Sequence, residues 1–255
     1  MAGEKSSVSE QIATKDAARE ATPLRVGQGE TLTEAAYDAL RRDIIRGLRE
    51  PGERLRIEWL KQIYEVGPTP LREALQRLSA DGLVHALGNR GFTVAPLDIA
   101  EFDDLNIART AVEKEALRLS ILKGDDDWEA GVVSAAYRMR KADSELARSA
   151  EQTLDRWEST NEAFHLAMVA ACGSDWLLRI RKNLHDQCER YRRASVYLRR
   201  GERDLLSEHQ AIAEAVLARD AEAACALTQA HYAATAGNLA EDFASGEMSG
   251  QDRQE

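Results

Sequence analysis

Three histidines lie on predicted helices whose faces are otherwise apolar, which is an unusual setting for a polar, metal-binding ring. They are His165, His209 and His231, and Asn161 lies one helical turn before the first of them. The apolar neighbours on these faces are Trp157, Phe164, Met168 and Cys172 for His165, Leu205, Ile212 and Val216 for His209, and Leu227 and Ala234 for His231.

Inward-facing histidines from three different helices can meet at one point in a helical bundle. Three imidazoles bind a divalent transition metal well and leave a coordination position open for a small ligand. One such histidine alone would be interpreted as a hydrogen-bonded core residue, but three favour a shared site. Asn161 would add a neutral and therefore weak ligand. The residues alone leave two interpretations open, a metal site or a polar pocket without a metal.

Arg109 is another charge on an apolar helical face. An ion pair with Glu113, one turn further on, would explain it, and so would a guanidinium that binds the carboxylate of a ligand. Tyr191 lies on the apolar side of a later helix and is predicted to line the same cavity. Arg192 lies nearer the polar side of that helix and is a further candidate effector-binding residue. His185 shares a face with charged residues and is predicted to be exposed. The apolar face of Arg109 consists of Phe102, Leu105, Val112, Ala116 and Leu119.

These side chains all belong to a segment, residues 98–243, in which only helical patterns occur. No proline follows Pro96, and the pattern breaks at Gly124, Gly173, Gly201 and Asp220. The segment is therefore predicted to be an all-α bundle of about six helices. The predicted helices cover about 99–121, 125–147, 150–172, 175–199, 204–218 and 221–240.

Residues 30–97 have a different organisation. Thr31 and Glu34 fit a capping box at the start of a first helix, and a short second helix follows the break at Pro51-Gly52. The third helix is predicted to begin sharply between Gly67 and Pro70 and to run to Asp81, since proline is tolerated in a first turn. Two short apolar runs joined by residues 88–91 then predict a hairpin. Three helices and a hairpin form a winged helix-turn-helix.

A winged helix-turn-helix reads DNA with side chains near the start of its third helix, while cations nearby hold phosphates. The chain has 10 Lys and Arg against 9 Asp and Glu in residues 31–97, but 20 against 30 in residues 98–255. A DNA-binding surface is therefore expected on the first part only. A solvated face of arginines is the alternative interpretation. The predicted DNA-binding residues are Thr69, Arg72, Arg77 and Arg46, with Gly88, Asn89 and Arg90 in the wing; Arg41 and Arg42 could also touch the backbone.

The remaining composition narrows the class of protein. The chain of 255 residues is 44% hydrophobic and 31% charged, which is typical of a soluble globular protein. It has no apolar run long enough to span a membrane and no signal peptide, so a cytoplasmic location is predicted. Three widely spaced cysteines indicate free thiols. Residues 1–29 and 244–255 are polar and aperiodic and are predicted to be disordered tails.

Several stretches resemble the GntR family of bacterial transcription regulators. They are PGERL at 51–55, TPLREALQRLSADGLV at 69–84 and RGFTVAPL at 90–97. The helical segment resembles the effector domain of the FadR-type (FCD) branch, through AFHLAMVAACGSDWLL at 163–178, RYR at 190–192 and EHQAIAEAVLARDAEAA at 208–224. It is most similar to the subgroup that contains a carbon-starvation-induced, glutarate-responsive repressor. The resemblance covers about residues 31–240.

The resemblance implies a homodimer that binds a pseudo-palindromic operator and responds to a small carboxylate, such as a short dicarboxylate. It also implies a divalent transition metal, zinc or nickel, since metal-binding members have Asp-x3-His followed by two later histidines; this chain has Asn161 at the Asp position. An arginine at the place of Arg109 commonly faces the effector cavity. Gly67 and Pro68 stand where the family often has Ser-Arg, and Glu58 stands at another arginine position. The DNA contacts therefore carry over only for Thr69, Arg72 and the wing.

The sequence thus predicts a DNA-binding transcription regulator, a repressor whose operator affinity changes when a small carboxylate binds the bundle. Two alternatives remain open. A metal-dependent enzyme acting on small organic acids would use the histidines for catalysis, but no nucleophile or general base is evident beside them. A DNA-binding protein without an effector would ignore small acids. The prediction is that the chain is not an enzyme.

Overall fold

The computed structural model describes residues 21–88, 91–195 and 203–245. The chain divides into two compact units, one up to Pro96 and one from Leu97 onward. Asn89 and Arg90, the end of the predicted 175–199 helix, and most of both predicted tails lie outside the described residues. Among those described, no helix combines the length and the apolar character that crossing a membrane requires.

The first unit begins with three helices: α1 (Leu32–Ile45), α2 (Ile57–Tyr64) and α3 (Pro68–Ala80). The predicted capping box is confirmed, because the Thr31 side chain accepts from Glu34 N and the Glu34 carboxylate accepts from Thr31 N. α3 starts after Gly67, as the two prolines predict, and ends at the C-cap Asp81, where its end was predicted. Its buried positions Ala74 and the leucines at 71, 75 and 78 face the core of this unit.

A small antiparallel sheet completes the first unit. The predicted hairpin is confirmed as β2 (Val84–Ala86) and β3 (Phe92–Val94), with His85 opposite Thr93. A further strand, β1 (Arg54–Leu55), pairs with the other edge of β3, so the order is β1-β3-β2. β1 is not evident from the sequence because two residues are too few to show the alternation that identifies a strand.

The segment before α1 contacts the first unit from Ala21 onward. The backbone N–H of Thr22 donates to Asp43 at 3.1 Å, and its hydroxyl donates to the same buried carboxylate. Ala21 and Leu24 pack against the core of the unit.

The second unit contains the six predicted helices. They are α4 (Ile99–Lys123), α5 (Asp126–Leu146), α6 (Ala150–Val169), α7 (Asp175–Ala194), α8 (Leu205–Leu217) and α9 (Ala221–Ser245). Helix α4 packs against α7 and α9, and α5 packs against α6 and α8. Because α6, α8 and α9 all present one face to a common interior, polar side chains on these faces can meet.

Candidate functional site

The exposed side of α3 carries the two residues predicted to read DNA. Thr69 and Arg72 lie in its first turn and are exposed, whereas Leu71 and Leu75 are buried on the opposite side. Gly67 and the following prolines fix where the helix begins, so they also fix where these two side chains stand. This placement at the helix N-terminus is the one that a recognition helix uses.

Arg72 lines a cleft with a volume of about 620 Å³, together with two further arginines, Arg54 and Arg56. Arg54 and Arg56 flank the buried Leu55 in the sequence. Their side chains project away from the core, because alternate side chains of a strand point to opposite faces. Gly88, at the start of the wing loop, also lines this surface and has a left-handed φ of 57°. Neither Arg54 nor Arg56 was predicted, since the strand that presents them was not recognised.

Two other predicted DNA-binding arginines of the first unit, Arg77 and Arg46, differ in what they contact. The Arg77 guanidinium stacks on the Tyr37 ring at 4.4 Å from its centroid, and the Tyr37 hydroxyl donates to Asp81 at 2.7 Å. Burial, with that hydrogen bond, raises the pKa of Tyr37 to about 12. Arg46 is exposed at the C-cap of α1. Asn89 and Arg90 lie outside the described residues.

The three predicted histidines meet in the core of the second unit. His165 on α6, His209 on α8 and His231 on α9 each place one ring nitrogen within 4.8 Å of the others. All three side chains are buried. The distances between ring centroids are 4.8 Å for His209 and His231, 5.4 Å for His165 and His231, and 5.8 Å for His165 and His209.

Two carboxylates contact the Nδ1 atoms of His209 and His231 and so orient these two rings. Asp143 Oδ2 lies 2.8 Å from His209 Nδ1, and its other oxygen accepts from Trp157 Nε1 at 2.8 Å. Glu208 Oε2 lies 2.7 Å from His231 Nδ1. A carboxylate on Nδ1 leaves Nε2 as the ring's metal-binding atom. Sequence reasoning missed both carboxylates, although Glu208 precedes His209 directly.

Two of the three histidines, His165 and His231, are held in the unprotonated state that a metal needs. Burial is the main cause that lowers the pKa of His165 well below its ordinary value, and the other two histidines add to it. Burial likewise lowers the pKa of His231 to about 3. Burial would raise the pKa of Glu208, but hydrogen bonds from His231 and Arg203 outweigh it and hold that pKa at about 2.

Three buried polar atoms, two on the cluster histidines and one on Asn161 a helical turn before His165, have no hydrogen-bond partner among the described residues. They are Nε2 of His165, Nε2 of His209 and Oδ1 of Asn161. A buried acceptor without a partner costs roughly 1–3 kcal/mol. A cation bound by the imidazoles would satisfy the two ring nitrogens, so the histidines present fit a divalent transition metal. The amide of Asn161 contributes no charge to such a site.

Arg109 lies next to this cluster. Its buried guanidinium stands 3.9 Å from the centroid of the Tyr232 ring, and the Tyr232 hydroxyl is 3.4 Å from His165 Nδ1. Arg109 Nε has no hydrogen-bond partner among the described residues. The carboxylate of Glu113 instead contacts Arg181 Nε, at 2.9 Å. This ion pair leaves the guanidinium of Arg109 as a candidate group for an anionic ligand.

Tyr191 and Arg192 are both buried, but other side chains engage their polar atoms. The Tyr191 hydroxyl accepts from Asp98 N and donates to Glu101, each at 3.3 Å, at the start of α4. The Arg192 guanidinium makes two hydrogen bonds to Glu158, of 3.1 and 2.8 Å. The structure therefore brings Arg109 to the histidines, while these two residues contact carboxylates elsewhere in the bundle.

The prediction that His185 is exposed is wrong. Its side chain is 1% exposed, and both ring nitrogens lack a hydrogen-bond partner among the described residues. Burial lowers the pKa of His185 well below its ordinary value. Its charged helical face suggested solvent, but Glu113 and Glu158 on neighbouring helices neutralise the arginines at 181 and 192 and allow that face to be buried.

A groove of about 250 Å³ lies between α5 and α8, and His209 is the one histidine of the cluster that contributes to its lining. Both apolar and polar side chains complete that lining. The apolar lining residues are Val133, Ala136, Tyr137, Leu206, Ala213 and Leu217.

A winged helix-turn-helix head followed by a helical bundle with a buried polar pocket is the architecture of a DNA-binding transcription regulator. Comparison with known families gives the same class. Residues 32–94 match the model described as bacterial regulatory proteins, gntR family, and residues 104–234 match the FCD domain. The chain therefore belongs to the GntR family and carries the FCD domain in its second unit. The class is a transcription regulator and not an enzyme.

Individual relatives support this membership over most of the chain. The HTH-type transcriptional regulator BphR of Paraburkholderia xenovorans (strain LB400) is 41% identical over 212 residues, 83% of this chain and 86% of that protein. The HTH-type transcriptional repressor GlaR of Escherichia coli (strain K12) is 39% identical over 201 residues, 76% and 90% of the two chains. The solved structure of E. coli McbR/YncC has the same fold, with a TM-score of 0.68 at 20% identity over 84% of this chain and 99% of that one.

Proposed function

We propose that this regulator is a repressor that leaves its operator when a small carboxylate binds the pocket of the second unit. The observation that carries the proposal is the histidine cluster, whose unpartnered nitrogens lie beside the buried guanidinium of Arg109. Such a pocket offers a metal ion and a fixed cation to an anion. FCD domains bind small-molecule effectors, and a relative named as a repressor supports the sign of the response.

In the head, Thr69 and Arg72 contact base edges from the first turn of α3, placed in the major groove. The wing residues Gly88, Asn89 and Arg90 approach the adjacent groove. The cations around them, Arg46, Arg54, Arg56 and Arg77, hold phosphates. A homodimer places two such heads on a pseudo-palindromic operator, because a two-fold protein matches a two-fold site. Since chromosomal DNA is the target, the protein acts in the cytoplasm.

In the bundle, His165, His209 and His231 hold a divalent ion such as zinc or nickel, with Asn161 as a neutral neighbour. Such an ion would supply a Lewis acid for a carboxylate. Arg109, next to the cluster, offers the anion a guanidinium. Tyr191 and Arg192 act as positioning residues, through their contacts with Glu101 on α4 and Glu158 on α6.

Native mass spectrometry paired with metal analysis tests the pocket and the dimer together. The purified chain, reconstituted with zinc or nickel, is expected as a dimer with one metal ion per subunit. His165→Ala should lose the ion and keep the dimer, and the exposed His85→Ala serves as the matched control that keeps both. A wild-type chain that binds neither metal would show that the cluster is a polar pocket only. A monomer would contradict the proposed operator geometry.

A further inference from the structure

The exposed polar side chains of helix α3 fall into two groups, and the first group is engaged by α1. Glu73 accepts a hydrogen bond of 2.8 Å from the hydroxyl of Thr33 on α1. The Arg77 guanidinium stacks on the ring of Tyr37, which also belongs to α1. Both side chains are therefore held on the side of α3 that faces α1.

The second group consists of Thr69, Arg72 and Gln76. Their spacings of three and four residues place them along one stripe of the helix. None of the three side chains makes a hydrogen bond, an ion pair or a ring contact with a described residue of the chain. The polar groups of this stripe are unused within the head and are available to DNA.

Two members of the stripe, Arg72 and Gln76, line the cleft of about 620 Å³ that Arg54 and Arg56 line from β1 and the residue after it. Among the described residues, no carboxylate contributes to this lining. The cleft therefore presents three guanidiniums and one amide without a compensating negative charge. In a DNA-binding head, such a cleft suits the phosphodiester backbone of one strand, and the amide is the group that charge does not explain.

We propose that Gln76 is a base-reading residue of α3 and that it recognises an adenine beside the base read by Arg72. The inference rests on the proposed placement of α3 in the major groove and adds to its specificity. A glutamine amide offers one donor and one acceptor, which match N7 and N6 of adenine, whereas the two donors of an arginine match O6 and N7 of guanine.

Helix geometry brings the amide of Gln76 to the bases. A long helical side chain leans toward the N-terminus of its helix, so Gln76 covers the surface next to Arg72. Four residues of an α-helix span about 6 Å, and base pairs stack about 3.4 Å apart. Arg72 and Gln76 should therefore read a G·C and an A·T pair within about two steps of each other in each half-site, while Arg54 and Arg56 hold phosphates of the strand.

The first test selects binding sites from a random duplex library with the full-length protein. Wild type, Gln76→Ala and Arg72→Ala are compared, and the control is Gln62→Ala, at an exposed position of α2 that does not line the cleft. Wild type should enrich a guanine and an adenine at neighbouring positions of each half-site. Gln76→Ala should lose the preference for the adenine alone, and Arg72→Ala the preference for the guanine alone. Gln62→Ala should keep both.

The second test measures affinity by fluorescence anisotropy at fixed salt, with the selected duplex and with one in which that A·T pair is replaced by G·C. Wild type should prefer the A·T duplex by about 5–150-fold, the discrimination that one bidentate base contact gives. Gln76→Ala should distinguish the two duplexes by less than about threefold, since alanine lacks the amide. Gln76→Arg should prefer the G·C duplex, because a guanidinium matches guanine.

The outcomes separate this inference from the function on which it rests. Thermal unfolding checks that each variant folds, and Gln76→Arg, which keeps a long polar side chain, provides a readout independent of Gln76→Ala. If Gln76→Ala keeps every base preference, with affinity unchanged or lowered equally on all duplexes, the assignment of Gln76 is wrong and base reading by Arg72 stands. If neither Gln76→Ala nor Arg72→Ala changes a preference, base reading by α3 is wrong as well.

Discussion

Asp143 positions one histidine of the cluster without being a member of the cluster itself. Its carboxylate holds Nδ1 of His209 and is itself held by the indole of Trp157. The arrangement fixes the ring so that Nε2 faces the cluster. Outer partners of this kind commonly change metal affinity by about 10–100-fold.

We therefore expect Asp143→Asn to lower zinc affinity by about 10–100-fold while the bundle stays folded. The amide can still accept a hydrogen bond, but it no longer raises the basicity of the imidazole. Chelator competition measures the change. Glu145→Gln, a partly exposed carboxylate on the same helix, is the matched control and should leave affinity unchanged. Equal affinity of Asp143→Asn and wild type would show that Asp143 serves packing alone.

Arg72 is the residue whose loss should most directly alter DNA reading. Arg72→Ala should weaken binding to a selected operator by roughly 1–3 kcal/mol if the guanidinium contacts a base edge. Fluorescence anisotropy with operator and random duplexes at fixed salt measures this loss. The exposed Arg118 of the second unit provides the control substitution. An equal loss on random DNA would identify Arg72 as a phosphate contact instead.

The buried histidines make the stability of the metal-free protein depend on pH. Burial lowers the pKa values of His165, His185 and His231 below the unfolded value of about 6.5. The unfolded chain then binds more protons than the folded chain below that pH. The free energy of unfolding should accordingly stay level above about pH 6.5 and fall between about pH 6.5 and 4.5. Each such histidine contributes about 1.4 kcal/mol per pH unit.

Urea denaturation across that range measures the slope. His185→Gln removes one histidine that is neutral in the folded state and should make the slope shallower by about 1.4 kcal/mol per pH unit. The same substitution at the exposed His85 should not. A slope that His185→Gln leaves unchanged would mean that His185 is protonated in the folded state.

The sequence predicts the inner residues of the pocket better than the outer ones, for a physical reason. His165 and His209 stand on apolar stripes, so helical periodicity alone directs them inward. Asp143 gives no such signal, since its burial depends on partners from two other helices. His185 misleads because the charges that neutralise its face lie far away in the sequence.

At the scale of elements, one face of helix α3 packs into the core and the opposite face is exposed. Its leucines at 71, 75 and 78 pack into the head, and this packing holds the exposed Thr69 and Arg72 in place. Its start is predictable because proline restricts the chain so strongly. The position of β1 is not, because only its pairing with β3 defines it.

Removing core volume under α3 should therefore disturb DNA binding without touching a DNA contact. We expect Leu75→Ala to destabilise the head by about 2–5 kcal/mol, because it leaves a cavity under the recognition helix. Denaturation followed by circular dichroism reports the loss. Leu32→Ala, at a half-exposed position on α1, is the control and should change stability little. A loss below 1 kcal/mol for Leu75→Ala would contradict the packing assigned to α3.

At the scale of the whole molecule, the two compact units have different functions. The head recognises DNA, and the bundle holds the pocket. An effector can change operator affinity only if it binds two states of the protein with different affinities. The coupling between such sites is reciprocal, so an effector that releases the operator, as proposed, implies that operator DNA lowers the affinity of the pocket for that effector by the same factor.

The most direct test of this account is the operator affinity of wild type and Arg109→Gln, measured by fluorescence anisotropy with zinc and a short dicarboxylate. For the wild type, the acid should weaken operator binding by about 5–150-fold, the usual range of allosteric coupling. Arg109→Gln should bind the operator as tightly as wild type does without acid, and the acid should not release it. The assignment of the pocket beside Arg109 as the effector site would be contradicted if the acid weakened operator binding equally in the two proteins. It would also be contradicted if the acid weakened operator binding in neither.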